Sequence, residues 1–207
     1  METSSIVPDV IDTMPSNIMK VIYTSGCKAD LGNELTPTQV KSPPNVDWPT
    51  ESDQLYTLIM LDADSHDVNN DKLDRPDYPD HSGHQTLHWL VVNSSRTDPG
   101  QTVTGYMGSV PTQGTGYHRY VFLVYKHRHR IVVPVTDGGI KCRKGFNLRE
   151  FVQFYALGDP VAANFYRAKF DDYVPVLKNR MLNKTRQVVR NPTQHSQAFY
   201  WIWEGYG

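Results

Sequence analysis

Apolar residues in this chain come in short, almost unbroken runs. Leu55 to Leu61 is nearly all apolar, with β-branched and aromatic members, and is too short for an ordinary helix, which predicts a sandwich-core strand. His88 to Val92 is a second such run, ending in the turn-prone Asn93-Ser-Ser-Arg-Thr-Asp-Pro-Gly100, and Tyr117 to Tyr125 is a third. Lys20 to Tyr23 reads as a short strand, Gly26 to Gly32 as a polar turn, and Val161 to Phe170 as an alternating strand. Thr36-Pro37 and Ser42-Pro-Pro-Asn45 break any helix and suggest extended crossings between sheets. Helical patterning comes late. Asn147 can cap Leu148 to Tyr155, and Asp171 or Asp172 can cap a helix to about Asn183. In the second, Val174, Leu177 and Met181 give one apolar face, and Pro175 falls in the tolerant opening turn. Many short strands with sparse helices predict a mostly β chain, an antiparallel β-sandwich with short helices at its C-terminal end.

The polar positions that break this pattern gather before the third run. Gly108-Ser-Val-Pro-Thr-Gln-Gly-Thr-Gly-Tyr-His-Arg-Tyr120 reads as a loop feeding a buried strand. Gly108, Gly114 and Gly116 allow positive φ and close approach of N–H groups to a ligand, while Pro111 stiffens the path. Consecutive N–H groups in such a loop make a concave anion site. His118 and Tyr120 should share one face of the strand, with Arg119 on the other.

The run Gly114-Thr-Gly-Tyr-His-Arg-Tyr-Val-Phe-Leu-Val-Tyr125 closely resembles the signature strand of the phosphatidylethanolamine-binding protein family, which includes the Raf kinase inhibitor proteins. Leu35-Thr-Pro-Thr-Gln-Val-Lys41, Leu55 to Asp62 with Ala63-Asp64, and Asp171-Asp-Tyr-Val-Pro-Val-Leu177 agree in the same order, so the resemblance covers roughly residues 21–181. It implies the same sandwich, with Greek-key connections, and a small anion pocket lined by Asp62, His88, His118 and Tyr120, with Gly108, Ser109 and Pro111 in the adjoining loop. It also implies a phosphate-containing small molecule or phospholipid head group as ligand, with a kinase or protease as possible protein partner. Two imidazoles and a phenol suit phosphoryl oxygens. Asp62 is expected to orient or charge one histidine, or to meet the ammonium of an ethanolamine head group. The chain departs from the family pattern at Ala63, Ser65 and His66, where prolines and alanine are usual, and at Val110 and Thr112, where glycine and proline are. Thr86-Leu87-His88 stands where Trp-His-His is common.

Composition bounds the rest. A chain of 207 residues suits one domain, expected over 20–183, after an N-terminal segment 1–19 and before a C-terminal extension 184–207. The extension ends in Phe199, Tyr200, Trp201, Trp203 and Tyr206, which should pack on the domain or dock to another chain, the first being preferred. A net charge of −1 gives no global field toward nucleic acid or an acidic membrane. Cys27 and Cys142 are expected as free thiols. With no leader pattern and no membrane-length apolar run, a cytoplasmic monomer that does not span a membrane is expected, with bare sequons at Asn93 and Asn183.

Other chemistries fit less well, and no cofactor is expected. Asp62, Asp64, His66, His81, His84 and His88 could be read as a metal site, but a polar loop, Asp67 to Gln85, over the pocket mouth explains the same composition. Ser109 lacks the nucleophile-elbow glycine, since Met107 stands there, so no catalytic residue is assigned. Lys126-His-Arg-His-Arg130 reads as a solvated hairpin. Three functions therefore compete: an anion-binding regulatory protein, an interaction scaffold with a degenerate pocket, and a metal-dependent enzyme. The first is preferred.

Overall fold

The computed structural model describes residues 6–65, 85–134 and 143–180. In chain order the strands are β1 (Asn17–Ile18), β2 (Lys20–Ile22), β3 (Asn33–Glu34), β4 (Asn45–Asp47), β5 (Leu55–Asp62), β6 (Thr86–Ser94), β7 (Gln101–Thr104), β8 (His118–His127) and β9 (Pro160–Ala168). Helix α1 (Leu148–Phe154) precedes β9, and a second helical segment, α2, covers residues 173–180.

Seven strands form one sheet in the order β1-β9-β8-β5-β6-β7, with β3 also on β9, while β2 and β4 make a separate antiparallel pair. The long strands pair antiparallel, as their apolar runs suggest, but β1 and β3 both run parallel to β9. The main sheet is therefore mixed, not purely antiparallel. The parallel strands are two residues each and carry no apolar pattern of their own; β9 recruits them through Asn164. Its carboxamide donates to Met19 O at 2.7 Å and Ala29 O at 3.0 Å, and accepts from Leu31 N at 2.9 Å.

Both sheet faces are buried. Ile59, Leu61, Val121, Leu123 and Phe165 pack on one side against Ile6, Val10 and Ile11 from the N-terminal segment and Leu148 and Phe151 from α1. Tyr56, Leu58, Met60, Tyr120, Phe122 and Tyr166 pack on the other against Met19, Val21, Leu35 and Val40. Such side chains contribute about 1.5–3 kcal/mol each when fully buried. Two-sided burial explains why β5 and β8 read as continuous apolar runs instead of alternating ones.

Asn147 caps α1 by accepting Glu150 N–H at 3.1 Å. Asp171 caps α2 by accepting Tyr173 N–H at 3.0 Å, and its other oxygen ties the cap to Thr38, accepting N–H at 2.9 Å and O–H at 2.8 Å. The basic run after Tyr125 is not a hairpin: β8 continues through His127, where Lys126 pairs with Glu51 at 2.8 Å, and the chain then leaves the sheet in a bend. The 67–84 part of the expected loop, with His81 and His84, lies outside the described residues, as do His66, Cys142 and the extension 184–207. Cys27 is a free thiol. Among the described residues no helix is long and apolar enough to cross a membrane.

Candidate functional site

One register row crosses the sheet. Asp62 sits opposite Thr86 on β6 and opposite Tyr120 on β8, and Tyr120 sits opposite Tyr166 on β9. Tyr120 and Tyr166 belong to the face that also carries Met60 and Phe122, so the row closes one end of that apolar layer with polar groups. His118, two residues before Tyr120, stacks on it with centroids 6.5 Å apart and planes 16° apart.

His88 reaches the row through an irregularity. Leu61 pairs with Leu87 while Met60 pairs with Trp89, so β6 spends two residues where β5 spends one, and His88 is the extra one. Such a bulge re-aims a side chain at the end of a sheet. Here it sets the His88 ring edge-on to Tyr120, 5.2 Å between centroids. Arg143 holds the kink by donating to His88 O at 2.9 Å, Leu87 O at 3.2 Å and Gly105 O at 2.7 Å.

The two histidines differ in charge. His118 Nδ1–H donates to Asp62 at 2.9 Å and 3.2 Å, and both side chains are 4% exposed. Its Nε2 lies 2.6 Å from Thr115 Oγ1, whose own proton goes to Thr112 O at 2.8 Å. The hydroxyl must therefore accept, so both ring nitrogens of His118 carry protons. Burial works against that charge, but the Asp62 carboxylate outweighs it and raises the His118 pKa. His88 donates from Nδ1 to Met107 O at 2.9 Å, is fully buried, and burial pushes its pKa down to about 4. It is neutral, with a lone pair on Nε2.

Two polar atoms of the site have no partner among the described residues: His88 Nε2 and the Tyr120 hydroxyl. Burial, with Asp62 and Tyr166 nearby, holds the Tyr120 phenol well above its ordinary pKa, so it keeps its proton. Each orphaned buried group costs roughly 1–3 kcal/mol. The site thus holds an acceptor and a donor set aside from internal bonding.

Loop 105–117 supplies the remaining wall. Met107 and Val110 pack with Val174 of α2, which anchors the loop to the helix. Gly108 needs its missing side chain for space: a Cβ there would stand 2.9 Å from Val40 O. Positive φ belongs instead to Gly114 (+88°) and Gly116 (+80°). Ser109 Oγ lies 2.7 Å from the Tyr166 hydroxyl, and Pro111 is buried.

A model of the family described as phosphatidylethanolamine-binding protein matches residues 17–167. The chain belongs to the phosphatidylethanolamine-binding protein family. A Drosophila melanogaster relative, provisionally named odorant-binding protein A5, is 30% identical, over 86% of this chain and 82% of its own length. The solution structure of CG7054 is 38% identical and aligns over 84% of this chain and 96% of that one, with a TM-score of 0.63. Carboxypeptidase Y inhibitor, solved with its cognate proteinase, is 25% identical over 82% and 93%, with a TM-score of 0.62.

Of the seven residues that the family resemblance points to, Asp62, His88, His118 and Tyr120 are close neighbours, and Ser109 joins them through Tyr166. Asp64 turns away to Arg119, which donates to it at 2.6 Å and 2.9 Å and to Asp9 at 2.5 Å on the opposite side of β8. Burial alone would raise Asp64, but Arg119 holds it below the usual carboxylate range. Among the described residues no three or more His, Cys, Asp or Glu side chains are placed so that they could hold a metal ion. Val110, where the family pattern has glycine, is used as an apolar anchor for the loop.

Sequence reasoning missed Tyr23, Tyr106 and Tyr166. Tyr106 O–H donates to Val40 O at 2.7 Å, Tyr23 packs edge-on to Tyr166, and Trp89 packs edge-on to Tyr106. Only the position of Tyr166 opposite Tyr120 could have signalled them, and that needs the register.

Proposed function

We propose that this chain is a binding and regulatory protein that holds a phosphate-bearing small molecule or phospholipid head group at the Asp62, His88, His118 and Tyr120 cluster. The observation that carries this reading is the pair of orphaned buried groups, His88 Nε2 and Tyr120 O–H, beside an internally compensated Asp62–His118 ion pair. Groups kept unpaired in a tight interior are costly unless a ligand meets them. The ion pair adds no net charge to the core, and because both His118 N–H groups are spent on Asp62 and Thr115, the ligand's bonds fall to Tyr120 and His88. The proposed role is binding, not catalysis; Ser109 is bonded to Tyr166 and not to a histidine, which speaks against a serine nucleophile.

Adding phosphorylethanolamine to 15N-labelled protein tests this. Saturable shifts confined to residues 86–89, 107–120 and the Asp62 region are expected, with loss of at least tenfold in affinity in Tyr120→Phe. Diffuse shifts unaffected by Tyr120→Phe would refute it.

A second reading, a protease-directed interaction module, is favoured by the 25% identity to carboxypeptidase Y inhibitor. The two readings are compatible, because an anion pocket and a protein-binding surface use different parts of a fold.

A further inference from the structure

We infer that the site selects an oxyanion that brings its own proton, the monoanion of a phosphate monoester, over fully deprotonated anions and phosphodiesters. This rests on the anion-site reading above and concerns which member of that class fits.

The polarity of the hydrogen bonds carries the argument. Met107 O sits 2.9 Å from His88 Nδ1, and a carbonyl can only accept, so Nδ1 holds the ring's proton and Nε2 presents a lone pair. That nitrogen is buried without a hydrogen-bond partner among the described residues. Beside it, the Tyr120 hydroxyl is a donor that also has no hydrogen-bond partner among the described residues. An oxyanion with no proton would satisfy Tyr120 but set lone pair against lone pair at His88. A P–OH group satisfies both at once.

The alternative is to protonate His88 instead of the ligand, and the surroundings disfavour it. From β5, Asp62 would attract a cation there, but its charge is already matched by His118 from β8. Tyr120 on β8 and Tyr166 on β9 are neutral phenols. Arg143, ahead of α1, bonds the His88 carbonyl and repels a second positive charge. Desolvation of the fully buried ring adds to this. The proton therefore stays on the ligand. A phosphate monoester has a second pKa of about 6, so its monoanion is accessible near neutrality. Sulfate has no such proton in this range, and a phosphodiester has no P–OH at all.

The test compares four probes on wild-type protein by calorimetry, at about pH 6 and about pH 7.5 and in two buffers of different ionisation enthalpy. The probes are phosphorylethanolamine, glycerophosphoethanolamine, sodium sulfate and a water-soluble short-chain phosphatidic acid. Phosphorylethanolamine should bind at least tenfold more tightly than sulfate or the diester at pH 6. Its affinity should fall toward tenfold per pH unit once its monoanion is depleted, with up to one proton taken up per ligand at the higher pH. Phosphatidic acid binding as well would place the monoester on a lipid; its failure beside tight phosphorylethanolamine binding would place it on a soluble metabolite. Both results support the inference. His88→Gln, whose amide can donate, should reverse the preference toward sulfate. Equal affinity for sulfate and monoester without proton uptake, or a preference for the diester, overturns the inference and leaves the anion site standing. No binding by any probe overturns both.

Discussion

Tyr120 and Tyr166 stack across β8 and β9 with centroids 5.3 Å apart and planes 16° apart, yet their hydroxyls end differently. Tyr166 has Ser109 Oγ at 2.7 Å, whereas the Tyr120 hydroxyl has no hydrogen-bond partner among the described residues. Two rings of the same type in the same layer thus differ in whether the hydroxyl is bonded within the described residues. Tyr166→Phe should cost about 1–2 kcal/mol, because Ser109 is left unsatisfied. Tyr120→Phe should leave stability unchanged or raise it by about 1 kcal/mol, since a buried unpaired hydroxyl is removed. Urea unfolding of the two variants checks the contrast; equal destabilisation would show that Tyr120 is structurally bonded after all.

The Asp62–His118 pair should make stability depend on pH. The folded pKa of His118 is raised, so its contribution is complete below the unfolded value of about 6.5 and is lost as pH rises through the higher folded value. Asp62→Asn should destabilise by about 3 kcal/mol near pH 6, because it leaves a buried imidazole without its counter-charge. The difference from wild type should shrink toward pH 9. A difference constant across that range would mean that His118 is neutral in the folded protein.

Asn164 is a buried four-bond node. Its Nδ2 donates to Met19 O and Ala29 O, and its Oδ1 accepts from Leu31 N and from Phe165 N at 2.8 Å. Asn164→Asp keeps the size but loses both donors, so it should cost at least about 3 kcal/mol. Chemical denaturation decides it, and a cost under about 1 kcal/mol would mean that β1 and β3 hold to β9 without this side chain.

Much of this architecture was legible in the chain. Leu55 to Leu61 and Tyr117 to Tyr125 announce central strands because both faces of the sheet are buried, and Asn147 and Asp171 announce helix starts through their own side-chain bonds. The parallel strands β1 and β3 were not legible: two-residue strands have no periodicity, and a side chain on a distant strand holds them. The bulge at His88 was hidden for a related reason. With apolar residues on both faces of β6, a skipped position leaves no break in the pattern. Asp62, His118 and Tyr120 could be singled out from the chain, but the charge on His118 depends on Thr115 and Thr112, which only coordinates reveal.

Loop placement gives a further contrast between two glycines. Gly108→Ala pushes a Cβ to 2.9 Å from Val40 O and should cost about 1–3 kcal/mol while displacing residues 107–111. Gly114→Ala meets open space and bears only the strain of φ +88°, about 1 kcal/mol. Unfolding together with phosphorylethanolamine affinity separates them: Gly108→Ala should weaken both and Gly114→Ala mainly stability. The reverse order would remove the close approach to Val40 as the constraint on the loop.

A crystal of the full chain soaked in phosphorylethanolamine interrogates the site most directly. The phosphoryl group is expected within hydrogen-bond reach, about 2.6–3.2 Å, of both Tyr120 Oη and His88 Nε2, with the Asp62–His118 pair intact. Phosphate density elsewhere on the molecule, with those two atoms still unpaired, would contradict it.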